Sequence, residues 1–123
     1  MTVNDGEVPM SAITTHVLDL STGKPASGVP VTLEVRGGGA NWKVLGKGTT
    51  GADGRLKTLL PAGSRLEAGT YRLQFDLAAY FRAKGAESFY PEASVAFIVR
   101  DASQNYHVPL LLSPHGYTTY RGS

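Results

Sequence analysis

A mainly β fold, a two-sheet antiparallel sandwich of eight strands with one short helix, is what this sequence predicts. Apolar residues recur at every second position through most of the chain, the period of a strand buried on one face. Clusters of Gly, Pro, Asp, Ser and Thr punctuate these runs at short intervals, leaving no room for long helices. A single stretch changes its period from two to about 3.6. The chain has 123 residues, 41% hydrophobic and 18% charged, enough for one globular domain with one core.

The first strand covers Ile13 to Asp19 and stops at the turn formers Ser21-Thr22-Gly23-Lys24-Pro25. Val29, Val31, Leu33 and Val35 mark the second, ended by Gly37-Gly38-Gly39. Trp42 to Thr49 forms the third, with Trp42 either a loop contact or a strand start. Ala52-Asp53-Gly54 then turns the chain into a short fourth strand, Arg55 to Leu59. Tyr71 to Phe75 is the fifth, Val95 to Val99 the sixth, Tyr106 to Leu112 the seventh, and Tyr117 to Arg121 the eighth. Pro109 removes a ladder donor, so the seventh strand either tolerates a missing bond or lies near an edge. Between the fifth and sixth strands, Leu77, Tyr80, Phe81 and Lys84 fall at i, i+3, i+4 and i+7 before Gly85. That spacing predicts a short helix with a glycine stop, its apolar face turned to the core. Residues 1–12 read as a polar tail, and residues 13–123 as the domain.

Composition excludes several function classes. Net charge is +2, and the twelve Lys and Arg are dispersed, with no basic patch for nucleic acid. No Cys is present, which removes disulfides, thiolate metal sites and thiol nucleophiles. No apolar run reaches the roughly 20 residues of a membrane helix, and no signal-peptide pattern opens the chain. A cytoplasmic protein is the expectation. Three His without a close pair, and without a carboxylate beside His16 or His107 in sequence, predict no metal site. His115, between Pro114 and Gly116, reads as a turn residue, and Asp19 as a strand-end hydrogen-bonding residue.

Thr14-Thr15-His16-Val17-Leu18-Asp19, followed by Gly23-Lys24-Pro25-Ala26-Ser27-Gly28-Val29-Pro30, resembles the opening of the transthyretin-like fold. Ala52-Asp53-Gly54-Arg55 resembles its second marker. Tyr106-His107-Val108-Pro109-Leu110-Leu111-Leu112-Ser113-Pro114 with Tyr120-Arg121-Gly122-Ser123 resembles its third. Together these resemble the transthyretin-related 5-hydroxyisourate hydrolase family, over nearly the whole chain from about Ile13 to Ser123. His115 departs from the pattern, standing where the family commonly carries Tyr.

The resemblance implies hydrolytic opening of the N1–C6 amide of 5-hydroxyisourate to 2-oxo-4-hydroxy-4-carboxy-5-ureidoimidazoline, without a cofactor. It also implies a homotetramer with sites at subunit interfaces, and one sheet built from the first, fourth, seventh and eighth strands. By the strand count above, that sheet carries His16, Arg55, His107 and Tyr120. Parity agrees: Ile13 and Val17 suit the core, leaving Thr14, His16 and Leu18 on the other face, while His107 faces out between Tyr106 and Val108. His16, Arg55 and His107 are the expected catalytic residues, and Tyr120, Arg121, Gly122 and Ser123 the expected substrate-binding residues. Histidine moves protons near neutral pH. A permanently charged Arg suits an electron-rich heterocycle and a developing oxyanion. Which histidine acts as base stays open. The rival reading is a ligand carrier on the same fold, since function resides in sites and not in folds. The Tyr120-Arg121-Gly122-Ser123 segment follows directly on strand and turn, and is expected to be held in place and used.

Overall fold

The computed structural model describes residues 12–61 and 63–123. The expected polar tail therefore lies outside the described residues except for Ala12. The Ala12 carbonyl accepts a hydrogen bond from the Tyr106 N–H at 2.7 Å.

Nine strands and one helix follow in chain order: β1 (Ile13–Asp19), β2 (Lys24–Pro25), β3 (Pro30–Arg36), β4 (Trp42–Thr49), β5 (Arg55–Leu56), β6 (Gly69–Asp76), α1 (Leu77–Ala83), β7 (Glu92–Val99), β8 (Tyr106–Ser113) and β9 (Gly116–Thr119). One sheet runs β4-β3-β6-β7, antiparallel throughout. The other runs β2-β1-β8-β9, with β5 also pairing β1. Side chains from both inner faces form the core, in which Ile13, Val17, Leu33, Leu73, Phe75, Leu110 and Leu112 are fully buried.

Beyond shifts in strand bounds, strand number and strand direction differ from the sequence expectation. The added strand is Lys24–Pro25, where the turn after β1 folds back and pairs Leu18 with Pro25 and Asp19 with Lys24. The sandwich is also not wholly antiparallel, because β1 and β8 run parallel from Ile13↔Tyr106 to Asp19↔Leu112. A parallel pair needs a long crossover, and here the whole second sheet and the helix lie between its two strands. Alternation has the same period in either direction, so it carries no sign of this.

Pro109 sits inside the sheet, between β1 and β9, and not at an edge. Its missing donor is tolerated because β9 leaves the ladder at Thr119. The Thr119 hydroxyl donates instead to the Pro109 carbonyl at 2.7 Å. Helix α1 starts where Asp76 accepts from the Ala79 N–H at 2.9 Å, an N-cap, and ends before Gly85, whose φ of 71° favours glycine. It buries Leu77, Tyr80 and Phe81. The Tyr80 hydroxyl donates to Asp19 Oδ2 at 2.7 Å, tying the helix to the end of β1 on the opposite sheet. Trp42 opens β4, with the guanidinium groups of Arg36 and Arg72 at 5.0 and 4.2 Å from its ring. Among the described residues, no helix is long and apolar enough to cross a membrane.

Candidate active site

The site is built on the outer face of the β1–β8 sheet, and strand register assembles it. His16 lies opposite Arg55 across the β1–β5 pair, and Thr14 lies opposite His107 across the β1–β8 pair. Because His16 is opposite Pro109, the two histidines are diagonal neighbours on one face. Three separate sequence segments are thus brought together by pairing.

Arg55 owes its place to a glycine. Gly54 has φ +76°, and a Cβ there would meet the Val17 carbonyl oxygen at 2.3 Å. The close approach is used: the Val17 N–H donates to the Gly54 carbonyl at 2.8 Å, docking the turn onto β1. Asp53 shapes the same turn by accepting from the Arg55 N–H at 3.0 Å. Its own backbone carbonyl accepts from His16 Nε2 at 2.9 Å. A carbonyl can only accept, so Nε2 of His16 carries a proton.

His107 is half-buried and held on both edges of its ring. Nδ1 lies 2.7 Å from the Thr14 hydroxyl. On the opposite edge, a Cβ on Gly122 would stand 2.6 Å from Cδ2, so only glycine fits without displacing the ring. The Gly122 N–H donates to the His107 carbonyl at 2.8 Å, which brings the chain back onto the sheet after β9. Burial lowers the His107 pKa below its ordinary value, and repulsion from the Arg55 guanidinium, with a smaller contribution from His16 in its charged form, lowers it further. Both effects favour the neutral ring.

A groove of about 270 Å³ opens beside these groups, lined by Thr14, Thr15, Arg55, Lys57, Asn105, His107, Gly122 and Ser123. Of the expected substrate-binding residues, Gly122 and Ser123 lie in it. Tyr120 and Arg121 do not: they border a second concavity of about 250 Å³ that also touches His107 but faces β7. Arg121 donates to Gln104 at 2.9 Å, with its guanidinium 4.7 Å from the Tyr106 ring, and Tyr120 is 55% exposed. His16 flanks the groove through its pairing with Arg55 but is not among its lining residues. His115 is an exposed turn residue, and Asp19 is a buried acceptor for Ser21 and Tyr80, both as their sequence settings suggest.

Sequence reasoning missed Lys57, Asn105 and the carbonyl of Asp53. Lys57 stands two residues after Arg55, so strand period alone could have placed it beside the arginine. Among the described residues, no group of three or more His, Cys, Asp or Glu is arranged to hold a metal ion. One imidazole, a guanidinium and an ammonium lining a small open groove, with a second imidazole flanking it, suit an electron-rich, hydrogen-bonding heterocycle whose carbonyl oxygen gains negative charge during reaction.

The family model described as the HIUase/Transthyretin family matches residues 13–122. The chain belongs to that family. A Caenorhabditis elegans protein named a probable 5-hydroxyisourate hydrolase is 46% identical over 123 residues, all of this chain and 90% of its own length. The solved structure of Klebsiella pneumoniae 5-hydroxyisourate hydrolase superposes with a TM-score of 0.79 at 38% identity, covering 90% of this chain and 97% of that one. Sea bream transthyretin in complex with thyroxine superposes with a TM-score of 0.84 at 30% identity, covering 91% and 95%. Backbone likeness thus reaches both the hydrolase and the carrier, whereas sequence likeness is greater to the hydrolases.

Proposed function

We propose that this chain, a 5-hydroxyisourate hydrolase of urate degradation, carries out its reaction in the groove beside His107 and Arg55. The observation that carries this is the convergence of His16, Arg55 and His107 on one sheet face through two register pairs. Water attacks C6 of the substrate, a C6–O bond forms, and the C6–N1 bond breaks. One proton of that water ends on N1, and the new carboxyl group releases the other to solvent. One histidine takes the water's proton and passes it to N1, and the other donates a hydrogen bond to the substrate. Arg55 and Lys57 bear the charge that develops on the C6 oxygen. Gly122 and Ser123 close one wall, and Tyr120 and Arg121 contact substrate once subunits assemble.

The working form in this proposal is a cytoplasmic homotetramer. Arg55, Lys57 and Ser123 are exposed in the single chain, which suits a site completed by a neighbouring subunit. A carrier function is the second reading, and the likeness to the thyroxine complex favours it at the level of fold. Freshly generated 5-hydroxyisourate, followed in the ultraviolet and by circular dichroism, separates the two. Accelerated loss with an optically active product supports the hydrolase. Loss at the spontaneous rate would overturn it, and binding of a hydrophobic ligand would then establish the carrier.

A further inference from the structure

We propose that Thr14 is the positioning residue that fixes the tautomer of His107, holding Nδ1 as the hydrogen-bond acceptor and placing the proton on Nε2. Thr14 is buried, 8% exposed, and lies directly opposite His107 in the parallel β1–β8 pair. Its hydroxyl is 2.7 Å from Nδ1, and among the described residues this is the side chain's hydrogen-bond partner. If Nδ1 carried the proton, the part-buried threonine hydroxyl would have to accept, and its own proton would have no acceptor among those residues, only water or a ligand entering the groove that Thr14 lines. A buried unpaired donor costs about 1–3 kcal/mol, and a carbonyl-like surplus of lone pairs costs less. The hydroxyl therefore donates, and Nδ1 holds the lone pair.

The ring geometry gives this tautomer a use. Thr14 occupies the Nδ1 edge and Gly122 the Cδ2 edge, which leaves Cε1 and Nε2 as the free end of the imidazole. Neutral His107 thus offers an N–H to the substrate: a hydrogen-bond donor to the C6 oxygen or to the departing N1. His16 is held the other way round. In the neutral ring its Nε2–H donates to the Asp53 carbonyl, which leaves the lone pair on Nδ1, and in this assignment it is the histidine left to take the water's proton. The two imidazoles are set to opposite roles by their partners, a hydroxyl donor for one and a carbonyl acceptor for the other. This assignment rests on the hydrolase reading, but the tautomer itself does not.

The test uses full-length protein with nitrogen-15 histidine and long-range proton–nitrogen correlation at pH 7, which distinguishes a protonated from an unprotonated ring nitrogen. In the unsubstituted chain, His107 is expected to show a protonated Nε2 and a bare Nδ1. Thr14→Val keeps the β-branched shape and removes the hydroxyl; it is expected to abolish that preference and lower kcat about tenfold with little change in KM. Thr14→Ser restores both the tautomer and the rate. A protonated Nδ1 in the unsubstituted chain, or a Thr14→Val variant with unchanged tautomer and kcat, overturns the proposal. If Thr14→Val fails to fold, the unsubstituted spectrum still decides. If the tautomer is as expected but no variant hydrolyses 5-hydroxyisourate, the hydrolase reading fails and the positioning role of Thr14 stands.

Discussion

Arg55 acts on His107 through its charge. Burial already disfavours the imidazolium, and the guanidinium on the same sheet face adds to that, so the folded pKa lies below the ordinary 6.5. Arg55→Gln is expected to raise the His107 midpoint in an NMR titration; an unmoved or lowered midpoint would contradict the coupling. The sign for stability follows. As pH falls below 6.5, the unfolded chain takes up the proton before the folded one, so His107 costs stability in acid and contributes nothing at pH 7. Some of these residues were legible in sequence and others were not, for physical reasons. His16, Arg55 and His107 stand out because uncommon side chains occupy outward positions in alternating strands. Lys57 shares the parity of Arg55, which places it beside the arginine, but a lysine on a strand's outer face is too ordinary to mark a site. Asp53 contributes a backbone carbonyl, which has no residue-type signature at all. Tyr120 and Arg121 were expected to bind substrate together with Gly122 and Ser123, and in the single chain they border the neighbouring concavity. Beside Pro109, with no N–H to offer, the chain leaves the ladder after Thr119 and sends those two side chains elsewhere until Gly122 rejoins it.

The helix and the turn before β5 are the elements on which the site's geometry depends. Tyr80 donates to the buried carboxylate of Asp19, joining α1 to the strand that carries His16. Tyr80→Phe leaves Asp19 short of a donor and is expected to cost about 1–3 kcal/mol in urea unfolding; a smaller cost would mean that the Ser21 contacts suffice. Burial alone would raise the Asp19 pKa, but hydrogen bonds from Ser21, Tyr80 and Thr22 outweigh it, and the net shift is downward. The stabilisation is therefore present above the ordinary 3.8 and lost as pH falls through the lower folded value. Gly54→Ala forces a Cβ against the Val17 carbonyl at a positive φ. It is expected to cost more than about 1 kcal/mol and to reduce activity by moving Arg55 away from His16; a fully active variant of unchanged stability would refute this. Element identity was largely readable from sequence, and β1 and β4 match their expected bounds. β6 and β7 begin earlier than the apolar alternation shows, at Gly69 and Glu92, because polar residues at strand ends still complete the ladder. Lys24–Pro25 was hidden because two residues cannot display a period.

At the scale of the whole molecule, one sheet buries its inner face against the other and presents an open groove on its outer face. Ser123 lines that groove, so a peptide appended after it is expected to crowd the space proposed for substrate. Such an extension is expected to lower activity by about tenfold or more while leaving the thermal midpoint unchanged. Normal activity in the extended protein would remove Ser123 from the site. The central claim is that His16, Arg55 and His107 perform the hydrolysis together on this face. The most direct test is kcat/KM for freshly generated 5-hydroxyisourate in His16→Ala, Arg55→Ala and His107→Ala, each with its assembly state verified. A loss of about 100-fold or more in every variant is predicted. Rates near that of the unsubstituted protein in any of the three would contradict the account.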